Sequence, residues 1–315
     1  MGMDFPPMTG HDLINVVRVS EPVALVREHE AAERAEDYPK LAGAGRPDFG
    51  VAEQHGPTWR IVGLGCMEPQ GARADLAAHL RASLKDADEA VRAEGLAVAA
   101  RLDPEEGEPA GGNEWVVADR RYRIVRTQGY VRLGADGPEP VRSTDTEPPT
   151  EHPACGFALE PAAPASPADA ALRLDLINLV PAPGTVSPEA LDEAAAALGA
   201  YPGVVLLPVD YVVVEQCEGS WLPVTRGHGP KEARRSLGLY FETVLPRIGL
   251  PGRPPPTPEE LAPYLAAAAR LSEESRNEFT VHDRRFRVIR VINTIRVGPD
   301  GPEPARPTDE HLWDP

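Results

Sequence analysis

The stretch NEWVVADRRYRIVRTQGYVRLGADGPEPVRSTD, Asn113 to Asp145, returns almost word for word as NEFTVHDRRFRVIRVINTIRVGPDGPEPARPTD, Asn277 to Asp309. A chain that carries so long a phrase twice has to fold it in two places, and this constrains its layout more than any short motif. The likeness reaches upstream. Asp12-Leu13-Ile14-Asn15-Val16-Val17 recurs as Asp175-Leu176-Ile177-Asn178-Leu179-Val180, Tyr38-Pro39 as Tyr201-Pro202, and Trp59 as Trp221. The expected organisation is an internal duplication: a unit over 12–145, a Pro/Ala-rich linker over 146–174, and a second unit over 175–309.

Within each unit the β-branched run at Asp12 or Asp175 predicts a first strand. A helix follows, opened at Ser187-Pro188 by an N-cap and a proline, and more loosely at Ser20 and Pro22. Two strands come next, Asp48 to Gln54 with Trp59 onward, and Asp210 to Gln216 with Trp221 onward. Helices begin near Ala72 and Ala233, and Thr257-Pro258-Glu259-Glu260 announces a further one as a capping box. The repeated phrase closes each unit as a hairpin turning at Asp119-Arg120 or Asp283-Arg284. This order contains the β-α-β-β-α-β succession of ferredoxin-like folds. The fold class is therefore α+β: two tandem homologous units, each a mainly antiparallel sheet with two or three helices, packed as a pseudo-dimer that covers exposed sheet edges.

A net charge of −17 argues against nucleic acid as a partner, because phosphate neutralisation drives that binding. Three separated cysteines form neither a zinc framework nor a disulfide scaffold. The start of the chain lacks the apolar core of a signal peptide, and its most apolar run, Val204 to Val214, is too short to span a bilayer. These features place the protein in the cytoplasm, away from the membrane.

Two sets of residues are candidates for binding. One is the repeated arginines of the hairpin: Arg120, Arg123 and Arg126, matched by Arg284, Arg287 and Arg290, form a candidate interaction surface for carboxylate or phosphate. Arg121, Arg132, Arg285 and Arg296 repeat beside them, and cross-strand pairing with internal acids such as Glu53, Glu215, Glu114 and Glu278 would equally explain the set. The other is the glycine turn Arg226, Gly227, His228, Gly229, Lys231 and Arg234, where backbone N–H groups at a helix start suit an anion. Adjacent residues in Glu53-Gln54-His55 or Glu215-Gln216-Cys217 point to opposite faces of a strand, so adjacency alone does not establish an acid–base pair. No catalytic, metal or cofactor motif accompanies them. Trp59, Trp115 and Trp221 read as core anchors.

The repeated phrase resembles an uncharacterised family of actinobacterial, Streptomyces-type proteins defined only as a domain of unknown function. That resemblance covers both units and implies a cytoplasmic protein with no functional residues to carry over. The best expectation is a non-enzymatic scaffold that docks a protein or a small acidic ligand, through the arginine hairpins or the cleft between units. The alternative is a small-molecule enzyme or anion binder that uses the Gly227 to Lys231 turn, with Glu215 as its base.

Overall fold

Proline needs no N–H at the first position of a helix, and this chain uses it there repeatedly. In the computed structural model, which describes residues 9–104, 111–248, 256–271, 275–282 and 284–311, the helices are α1 (Pro22–Asp37), α2 (Pro69–Ser83), α3 (Glu89–Leu102), α4 (Pro167–Ile177), α5 (Pro188–Ala200), α6 (Pro230–Leu239), α7 (Leu245–Ile248) and α8 (Pro258–Leu271). All but α3 and α7 start on proline. The Ser187 hydroxyl accepts from the Ala190 N–H at 3.2 Å, the expected cap, and Thr257 and Glu260 close the expected capping box. At α1 the cap is Glu21, with no side-chain bond. Residues 1–8 and the turn residue Asp283 lie outside the described residues.

The strands are β1 (Asn15–Val16), β2 (Lys40–Gly43), β3 (Asp48–His55), β4 (Thr58–Cys66), β5 (Glu114–Val117), β6 (Arg120–Gly134), β7 (Gly137–Pro138), β8 (Pro164–Ala165), β9 (Gly203–Leu206), β10 (Asp210–Cys217), β11 (Ser220–Gly227), β12 (Glu278–Val281), β13 (Arg284–Gly298) and β14 (Gly301–Pro302). β1 and β8 form a small parallel pair. The others share one antiparallel sheet with the central order β11-β10-β13-β6-β3-β4. The protein is thus of mixed α and β structure with an antiparallel sheet.

Two 15-residue strands, β6 and β13, organise that sheet. The first half of β6 pairs with β3 and β5, and its last residues pair with β2 and β7. β13 does the same with β10, β12, β9 and β14. Between these halves the long strands pair with each other, Thr127 to Tyr130 against Ile292 to Ile295. Their ends are bare of each other, so each strand reaches into the opposite half of the sheet.

Core placement follows strand alternation. Phe49, Val51, Tyr122 and Ile124 face α2 and α3, where they bury Leu76, Leu80 and Leu102. Tyr211, Val213, Phe286 and Val288 face α6 and α8, meeting Leu237, Phe241 and Tyr264. The other face carries Trp59, Ile61, Val125, Val205 and Ile295. Each fully buried side chain of this size contributes about 1.5–3 kcal/mol of transfer free energy. Trp59 and Trp115 are buried as expected of anchors, while Trp221 keeps part of its surface exposed.

Three expectations are corrected. Asp175 to Ile177 is no strand: it ends α4, which Ser166 caps through the Asp169 N–H and whose Leu172, Leu176 and Ile177 are buried at helical spacing. Asp12 and Leu13 belong to a 3₁₀ turn, Gly10–Leu13, held by Thr9 and Asp12, which leaves only the two-residue β1. No strand of the large sheet therefore precedes α1, and the ferredoxin-like order is not realised among the described residues. The span read as a linker, 146–174, also carries β8 and most of α4.

Candidate functional site

β11 ends at Gly227 and α6 starts at Pro230, so the glycine turn does deliver backbone N–H groups to a helix start. They are already used. The Lys231 N–H donates to Glu147 Oε1 at 2.5 Å, and the His228 N–H donates to Glu232 Oε2 at 2.7 Å. A Cβ on Gly229 would sit 2.1 Å from Glu147 Oε2, so glycine is what lets this carboxylate approach. Arg234 is buried and donates to Asn277 at 2.7 Å. Arg226 pairs with Asp48 at 2.9 Å. The chain supplies its own anion here.

The His228 ring meets Asp210, not Glu215: Nδ1 lies 2.8 Å from Asp210 Oδ1, and Asp210 Oδ2 accepts from Asn293 at 2.8 Å. The hydrogen bond to Asp210 raises the His228 pKa above its ordinary value, partly opposed by burial. Glu215, the base in the enzyme reading, grips Arg284 through two bonds of 2.5 Å. The two residues that reading combines are therefore held by different partners.

The hairpin arginines are consumed inside the fold. Arg123 and Arg287 are 2% and 1% exposed. Arg123 donates to the Pro302 carbonyl and to Asp300, both at 2.7 Å, while Arg287 donates to the Pro138 carbonyl at 2.9 Å and to Asp136 at 3.0 Å. Their guanidinium carbons lie 4.9 Å from the Trp59 ring and 5.0 Å from the Trp221 ring. Arg120 pairs with Glu53, Arg126 with Asp309 and Arg290 with Asp145. Cross-strand and cross-hairpin acids pair with all six residues, and burial removes most of them, though not Arg120, from solvent.

A different site emerges where β6 and β13 cross. Alternation puts Arg126, Gln128 and Tyr130 on one face of β6, and Thr294 and Arg296 beside them on β13. With β2 as a neighbour, the segment after α4 as one wall and the first turns of α5 as another, they line a cleft of about 1020 Å³. Leu41, Leu179, Pro181, Val186 and Ala194 make much of it apolar. Its charged end gathers Arg126, Arg296, Arg306, Glu303 and Asp309.

This end is not fully satisfied. Arg306 uses Nε on Glu303 at 2.6 Å and Arg126 uses Nε on Asp309 at 3.1 Å. Arg296 spends Nη2 on the carbonyl oxygens of Leu176, Ile177 and Leu179, where it caps α4, and its Nη1 is buried with no partner among the described residues. Burial depresses the Arg296 pKa, opposed by Tyr130 and Glu303, with smaller lowering effects from the Arg306 and Arg126 charges. A buried guanidinium nitrogen left unpaired is costly, so an anion arriving here would relieve a standing penalty.

Among the described residues, no histidine or cysteine lines the cleft and no group of three metal-ligating side chains occurs. None of the six residues of the glycine turn reaches it. Arg126 does, and so does Arg296 of the same repeated arginines, together with Tyr130, Arg306 and Lys40, which local patterns do not single out. Only the register between two strands far apart in sequence brings them together.

No helix among the described residues is long and apolar enough to cross a membrane. No curated protein and no solved structure matches the chain. One family does match, over residues 21–312, which is nearly the whole chain. The chain belongs to the DUF5954 family, a family of unknown function.

Proposed function

We propose that the chain is a non-enzymatic cytoplasmic binding scaffold, built as an internal duplication whose two units pack as a pseudo-dimer, and that the cleft beside β2 takes an acidic partner. The repeated phrase supports the duplication, as does the register. Gly129 faces Asn293, and these are corresponding positions of the two copies. Exchanged contacts support the pseudo-dimer: Arg123 meets Asp300 and Pro302 while Arg287 meets Asp136 and Pro138, and Arg126 meets Asp309 while Arg290 meets Asp145. Such reciprocity is what a two-fold interface produces.

The observation that carries the binding reading is the unpartnered Arg296 Nη1 at the charged end of a largely apolar cleft. Glu147 on the α6 N-terminus weighs against the anion-binding alternative at Gly227 to Lys231. The test is to titrate the full chain with aliphatic carboxylates, dicarboxylates and inorganic phosphate, following its melting temperature, and to identify by mass spectrometry whatever co-purifies from the native source. A saturable shift that Lys40→Glu weakens supports the reading. Absence of any shift together with absence of any acidic co-purifying molecule or protein would end it.

A further inference from the structure

Under the correspondence of the two copies, β9 stands where β2 stands, and Arg132, Arg290 and Arg142 stand where Arg296, Arg126 and Arg306 stand. The cleft opens beside β2. On the β9 side, helix α4 is in place: Leu172, Leu176 and Ile177 pack with Val204 and Ile292. Asp175 of α4 pairs with Arg132 at 3.5 Å, and Asp169, near its start, lies within electrostatic reach of Arg290 and Arg142, although burial and the neighbouring Glu28 charge outweigh them and raise its pKa. Glu28 of α1 accepts from the Ala168 N–H at 2.9 Å and fixes the helix start. One side of the sheet thus holds an acidic amphipathic helix, and the other presents a matching set of arginines to an open cleft.

Arg132 has a carboxylate partner, whereas Arg296 Nη1 is buried with no partner among the described residues; on the α4 side Arg290 Nε also lacks a hydrogen bond, but it has Asp145 at 3.5 Å. The neighbouring floor is comparable, with Leu41 in the place of Val204. Gln128 and Tyr130 in the places of Ile292 and Thr294 make it more polar. We propose, resting on the binding reading above, that the cleft is a docking groove for an acidic amphipathic helix of a partner protein, a segment with the chemistry of α4. Its aliphatic face would lie on β2 and against α5, and its carboxylates would meet Arg296 at one end and Arg126 with Arg306 at the other. A helix delivers side chains three and four residues apart to one face, so a short segment can present both features at once.

The probe is a fluorescein-labelled peptide of this chain's own residues 166–179, titrated with the full-length protein and followed by anisotropy. Saturable binding is expected, weakened roughly tenfold or more, the loss typical of removing a central contact, by Ala190→Trp, which fills the cleft, and by Lys40→Glu, an exposed change that spares the core. Replacing Asp169 and Asp175 of the peptide by Asn is expected to weaken it similarly. Arg132→Met in the protein is expected to leave binding unchanged. If Arg132→Met abolishes binding while the cleft variants do not, the peptide has exchanged with native α4 and the proposal fails. If the peptide does not bind but small carboxylates still shift the melting temperature, the cleft is a small-molecule site and the helix proposal alone is overturned. If neither binds and no acidic molecule or protein co-purifies, both readings fall.

Discussion

Arg123 donates to the carbonyl oxygen of Pro302 at 2.7 Å, from a side chain only 2% exposed and across the line where the two long strands meet. The bond carries a buried charge on a backbone acceptor, with the Trp59 ring as one wall and Asp300 and Glu114 as counter-ions. Arg287 repeats the arrangement with Pro138, Trp221, Asp136 and Glu278. The hairpin ends are thereby locked into opposite halves of the sheet.

Removing that lock costs stability. Arg123→Met is expected to destabilise the chain by about 1–3 kcal/mol, the range for leaving a buried acceptor unsatisfied. Arg123→Lys is expected to recover little, because one ammonium cannot reproduce the planar fork that meets a carbonyl and a carboxylate together and stacks on indole. Urea unfolding of the three proteins measures this, and a lysine variant as stable as the native chain would contradict it.

Gly301 serves the same junction. Its φ of +113° disfavours any side chain, and a Cβ there would lie 2.3 Å from Trp59 Nε1. Gly56, at φ +59°, has open space around it. Gly301→Ala is therefore expected to cost several times what Gly56→Ala does, the latter near the roughly 1–2 kcal/mol of a left-handed residue. Thermal melts of the two variants compare the effects directly.

Much of this architecture can be read from the chain, and the failures have physical causes. The repeated phrase announces two equivalent hairpins, and Ser187-Pro188 and Thr257 to Glu260 mark real helix starts because capping is local chemistry. Asp175-Leu176-Ile177 misleads: a run of apolar residues too short to show its period suits strand and helix alike, and the deciding cap, Ser166, lies nine residues upstream. The cleft is harder still. Arg126, Tyr130 and Arg296 become neighbours only through the pairing of Tyr130 with Ile292, a register that no local pattern encodes. Arg296 looks like any other repeated arginine until its surroundings are known.

His228 and Asp210 form a pH-sensitive contact. Because the hydrogen bond to Asp210 raises the folded pKa of His228 above its unfolded value, its contribution to stability is fully present below the unfolded pKa, about 6.5 for histidine, and is lost as pH rises through the folded value. The melting temperature is expected to fall over that window more steeply in the native chain than in Asp210→Asn. Equal slopes for the two proteins would remove the contact from the account.

The three cysteines are expected to differ in reactivity. Burial pushes the Cys66 thiol up to about 12, helped by its hydrogen bond to Asp75, whereas Cys155 is exposed. Since the thiolate is the nucleophile, iodoacetamide at mildly alkaline pH should label Cys155 well before Cys66. Peptide mapping of a time course reads the order, and early labelling of Cys66 would contradict the buried, proton-bound thiol.

Glu147 tests the idea that the glycine turn is an anion site already filled from within. Its carboxylate accepts from the Lys231 N–H at the start of α6, where the positive end of the helix dipole favours negative charge. Glu147→Ala is expected to cost about 0.3–1 kcal/mol at low salt, the usual worth of such a charge, and to open the turn to solution anions. Sulfate should then stabilise the variant more than the native chain at equal ionic strength, with chloride as the control. A variant as indifferent to sulfate as the native protein would mean that the turn has no affinity for anions beyond its own glutamate.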